Sequence, residues 1–79
     1  MIYRVEFRLD HAPDPIEFDL SLPQPPSEAE VLSTVIHKLK PHEPAQPVGN
    51  AYARDRLMAE NGLLSIALFD EKGAALFVI

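Results

Sequence analysis

The stretch that most limits what this chain can become is its last seventeen residues, Leu63 to Ile79. They read Leu-Leu-Ser-Ile-Ala-Leu-Phe, then Asp-Glu-Lys-Gly, then Ala-Ala-Leu-Phe-Val-Ile. Two apolar runs around a short polar turn ending in glycine predict a β-hairpin. Both runs are apolar at odd and at even positions, so the hairpin needs cover on two faces. A chain of 79 residues makes one small domain, 1–79, with a core that typically yields about 3–5 kcal/mol of net stability. Such a chain has little material to spare for a second cover. A partner is therefore expected, either another protein or a second copy.

The other elements follow from pattern. Residues 2–9 alternate, with Tyr3, Val5, Phe7 and Leu9 against Arg4, Glu6 and Arg8. Residues 16–22 alternate likewise, with Ile16, Phe18, Leu20 and Leu22 against Glu17, Asp19 and Ser21. Period-two alternation marks strands with one buried and one wet face. The joining segment, Asp10 to Pro15, is rich in turn formers, which predicts an antiparallel hairpin. Its wet face sets the arginines against Glu17 and Asp19, with cross-strand charge pairs as the expected outcome.

Pro23, Pro25 and Pro26 end the second strand. Ser27-Glu-Ala-Glu is a capping box, Ser27 at the N-cap and Glu30 three residues on. Val31, Leu32, Val35, Ile36 and Leu39 then fill an arc of roughly 140°, one face of a helix. Pro41 stops it. Residues 41–49 carry a proline at every third position, Pro41, Pro44 and Pro47, which suggests stiff, polyproline-like backbone. Asn50 can cap a second helix running from Ala51 to about Asn61, with Gly62 closing it at C′. Its apolar residues, Tyr52, Ala53, Leu57 and Met58, make no clean stripe. Strands follow from Leu63 to Phe69 and from about Ala74 to Ile79, Gly73 supplying the positive φ of the turn.

The order is ββααββ. It predicts an α+β fold, a four-stranded antiparallel sheet with two helices packed on one face. The alternative puts one helix on each face. In the first arrangement the opposite side of the sheet is charged over the first hairpin and apolar over the second.

Chemistry is harder to find. The formal net charge is −5, which disfavours nonspecific nucleic-acid binding. Cysteine is absent, which removes disulfides, cysteine zinc sites and thiol catalysis. No leader and no apolar run of spanning length is present, so a soluble, cytoplasmic protein is expected. The histidines are His11, His37 and His42. A site from His37, His42 and Glu43 is conceivable, but the spacing matches no zinc hydrolase motif. None of the four serines sits in a nucleophile elbow. Glu17 and Asp19 share a strand face, which lacks the contrast of environments an acid/base pair requires. Three glycines make no phosphate-cradling loop. No catalytic residue, cofactor or metal ligand is assigned.

The reading is a non-enzymatic protein–protein interaction module, a small regulator or inhibitor, with itself as one candidate partner. The candidate contacts are Tyr52, Arg54 and Arg56 on the second helix, with Ala67, Phe69 and Phe77 on the sheet. One alternative is a nucleic-acid-associated protein whose Arg4, Arg8, Arg54 and Arg56 form a stripe in a dimer. The other is a small-ligand or enzymatic pocket near His37 and His42.

Overall fold

The computed structural model describes residues 1–44 and 47–79. The polyproline expectation for 41–49 runs through 45 and 46, which lie outside the described residues. The elements are β1 (Ile2–Leu9), β2 (Ile16–Ser21), α1 (Glu28–Leu39), α2 (Ala51–Glu60), β3 (Leu63–Phe69) and β4 (Ala75–Val78). The four strands form one antiparallel sheet in the order β2-β1-β3-β4. Both hairpins form, and β1 and β3 meet in the middle.

Both helices lie on one face of this sheet, which excludes the one-helix-per-face alternative. The core shows why. Tyr3, Val5, Phe7 and Leu9 of β1 and Leu63, Ile66 and Leu68 of β3 are buried in one cluster. The same cluster takes Val31, Leu32 and Val35 from α1 and Leu57 and Met58 from α2. Phe18 leans edge-on against Phe7, ring centroids 6.2 Å apart, and carries the Lys38 ammonium over its own ring at 4.5 Å. The lysine stem thus extends apolar cover toward the outer strand while its charge stays in water.

The helix ends are built as their residues dictate. The Ser27 hydroxyl accepts from the Glu30 amide, and the Glu30 carboxylate reaches back to the Ser27 amide. Asn50 caps α2 by accepting from the Ala53 amide at 2.8 Å. Past α2, Gly62 adopts φ +67, and its carbonyl accepts from the Asp10 amide at 2.9 Å. That bond ties the end of α2 to the end of β1. In the β3–β4 turn Asp70 accepts from the amides of Lys72 and Ala74, and Gly73 turns at φ +82.

Two irregularities decide which side chains face where. At Leu64 the β1–β3 register shifts, and at Leu76 the β3–β4 register shifts. Each strand there carries one extra residue, a bulge that exchanges faces beyond it. The sheet has two unlike borders. β2 bears Glu17 and Asp19 and is bracketed by Pro15 and Pro23. β4 is Ala-Leu-Phe-Val, with neither charge nor proline. No helix among the described residues is long and apolar enough to cross a membrane.

Candidate functional site

The side of the sheet away from the helices is an open face. Alternation places Ile2, Arg4, Glu6 and Arg8 on it from β1, and the register adds their neighbours. One row across the sheet holds Asp19, Arg4, Phe69 and Ala75. The next holds Glu17, Glu6, Ala67 and Val78. Half of the face is charged and half is apolar.

The charged half departs from the expected ion-pair ladder. Glu6 lies directly opposite Glu17, a like-charge pair. Arg4 lies opposite Asp19, yet its guanidinium extends the other way and sits 4.7 Å above the Phe69 ring centroid. Among the described residues no ion pair within 4 Å involves Arg4, Arg8, Glu17 or Asp19. The physical reason is solvent. An exposed ion pair gains little from attraction in water, whereas stacking on a ring also removes apolar surface from water. At the Ile2 end of β1, beyond the last β3 residue, the Ile2 amide donates to Glu71 Oε1 at 2.7 Å. Ile2, Arg4, Asp19, Asp70, Glu71 and Gly73 line a groove of about 400 Å³ there.

The apolar half is uncovered at its outer strand. Val78 is 65% exposed and Leu76 44%, and Ile2 beside the groove is 53% exposed. Ala67 and Phe69 are half-buried, Phe69 sheltered by Arg4. Phe77 is not part of this face. It lies opposite Leu68 and packs against the core on the helix side. Continued from the turn without a bulge, the register would have set it opposite Ala67, on the open side. The extra residue at Leu76 moves it.

The α2 candidates lie on the other side of the sheet, with the helices. Tyr52 is 75% exposed. Arg54 is occupied: it reaches Glu28 of α1 at 3.1 Å and Asp55 at 3.2 Å. The hydrogen bond to Asp55 is the chief cause that raises its guanidinium above the usual range; Glu28 adds to it and partial burial opposes it. Arg56 pairs with Glu60 one turn on, at 3.5 Å. Arg4 and Arg8 therefore stand on the sheet face while Arg54 and Arg56 stand behind it.

His37 lines a groove of about 580 Å³ with Ala29, Glu30, Ser33, Thr34, Pro47 and Val48; His42 and Glu43 are not in its wall. Glu30 is engaged in the cap of α1, and the Thr34 hydroxyl donates to the Glu30 carbonyl. His11 touches Asp10 at 3.1 Å on an exposed turn. Among the described residues no three histidine, aspartate or glutamate side chains gather as a metal-binding group.

No family model, curated protein or solved structure matches the chain.

Proposed function

We propose that this chain is a non-enzymatic interaction module, a small cytoplasmic regulator or inhibitor, that works by presenting the open face of its sheet to a protein. The observation that carries this reading is the apolar half of that face, where Val78 stands exposed beside Ala67 and Phe69. Contiguous apolar surface costs a lone soluble domain, and in interaction proteins it is the part that becomes buried. The surrounding charges, Arg4, Glu6, Arg8 and Glu17, supply the polar rim that such interfaces use for register. An arginine stacked on an aromatic ring is also a common anchor of binding energy. Tyr52 on α2 offers a separate, smaller contact on the opposite side.

The test is site-specific photo-cross-linking in the source organism. A benzophenone amino acid replaces Ala67, and in a second strain Tyr52. Discrete cross-linked protein bands at position 67 support the face as the working surface. Cross-links at 52 alone, or at neither position, overturn it.

A further inference from the structure

We infer that the occupant of the open face is a second copy of this chain, docked face to face about a two-fold axis that crosses the strands level with Val5. This rests on the interaction reading above and names its partner. On β1, β3 and β4 the two central rows of the face are opposites. On β1 the row containing Phe69 has Arg4 and the row containing Ala67 has Glu6. On β3 those rows offer a large ring and a methyl group. On β4 they offer Ala75 and Val78.

A two-fold axis midway between the rows lays each row on the other row of the second copy. Arg4 then lies level with Glu6 of the second copy, toward which its guanidinium swings from above the ring; Phe69 meets Ala67 and Val78 meets Ala75. Opposite charges meet, and large side chains meet small ones. One row further out, Arg8 comes level with Ile2 of the second copy, where Glu71 sits against the Ile2 amide. The mismatch is on β2, where Asp19 meets Glu17 of the second copy; that strand is at the border, where water and salt screen the repulsion. An axis running along the strands through the middle of the sheet does worse, because it lays apolar β3 and β4 on charged β1 and β2.

Packed sheets cross at about −30°, so the two central rows carry most of the fit. Four strands at about 4.8 Å and seven residues at about 3.4 Å give a face of roughly 19 by 24 Å. That footprint is at the small end for stable dimers, the range of weak and transient contacts, so a weak dissociation constant is expected.

The experiment is sedimentation equilibrium from about 10 to about 500 μM, a range suited to weak association. It uses the wild type, Arg4→Glu, Glu6→Arg and an equimolar mixture of the two variants. Circular dichroism verifies that each is folded. The wild type dimerises. Each variant alone sets like charges face to face and weakens the dimer by about tenfold or more. The mixture recovers association, because the acidic pair of one chain meets the basic pair of the other. A wild type that stays monomeric overturns the proposal, as does a variant that dimerises like the wild type, or a mixture no tighter than either variant. The two readings fail differently. A monomeric wild type whose position 67 still cross-links to a different protein loses only the second copy, whereas one with no cross-link there loses both.

Discussion

The central carbon of the Arg4 guanidinium lies over the Phe69 ring, 4.7 Å from its centroid, across the β1–β3 pairing and away from Asp19. Arg4→Ala should lower the stability of the monomer by about 0.5–1 kcal/mol, the range for a cation over an exposed ring. Arg4→Lys should fall between, since it keeps the charge but loses the planar contact. Urea unfolding below the dimerisation range measures both. Equal stability of all three chains would show that the contact contributes nothing.

The three glycines should respond in order to alanine. A Cβ at Gly62 would sit at φ +67, where backbone strain is the main cost, and the exposed Asp10 carboxylate 2.8 Å away would have to turn aside from its place there. A loss of about 1–3 kcal/mol is expected there. Gly73 has the unfavourable φ, +82, but open space around it, and should lose less. Gly49 has neither obstacle, so its change should fall within about 0.5 kcal/mol of zero. Thermal or urea denaturation of the three variants gives the ranking.

Ser27→Ala and Asn50→Ala each remove an acceptor for a helix-end amide. Each should cost about 1 kcal/mol. The Glu30 carboxylate keeps the Ser27 amide in every variant, and Ser27→Asp, which supplies a new acceptor for the Glu30 amide, should restore part of the loss at neutral pH, less the repulsion between the two carboxylates. Chemical denaturation of the three chains checks the order.

Arg54→Ala should produce only a small loss, in keeping with a solvent-facing ion pair. Its guanidinium is held above its ordinary range by Asp55 and Glu28. A group raised in this way contributes fully below its unfolded pKa, and the contribution fades only as pH climbs through the folded value. The difference between wild type and Arg54→Ala should therefore be flat from roughly pH 6 to 9. A difference that grows or vanishes across that window would assign the effect to another group.

Core and face should separate cleanly. Leu32 and Ile66 are fully buried, and truncating either to alanine should cost about 2–5 kcal/mol. Val78→Asp should leave folding stability within about 0.5 kcal/mol while abolishing self-association, because Val78 faces outward. Denaturation paired with light scattering reads both quantities from the same samples.

Much of this architecture was legible beforehand because its signals are local. Ser27 and Glu30, Asn50, Gly62 and Gly73 each act on backbone groups close by in sequence, and all five positions carry the roles their chemistry predicts. The face of β1 was legible because Tyr3, Val5, Phe7 and Leu9 alternate without interruption. What escaped was non-local. One extra residue at Leu64 and another at Leu76 leave no mark in an apolar run, yet the second decides that Phe77 turns inward. The Glu6–Glu17 juxtaposition depends on register, which alternation alone does not set. Arg54 resembled an available cation because Glu28, its partner, lies on the other helix.

The unlike margins of the sheet bear on how the molecule behaves when concentrated. A border of acidic residues bracketed by prolines refuses an incoming strand, whereas the bare β4 border accepts one. Two molecules joined along β4 present only forbidding margins to the next arrival. Edge-to-edge pairing by this route closes at a pair.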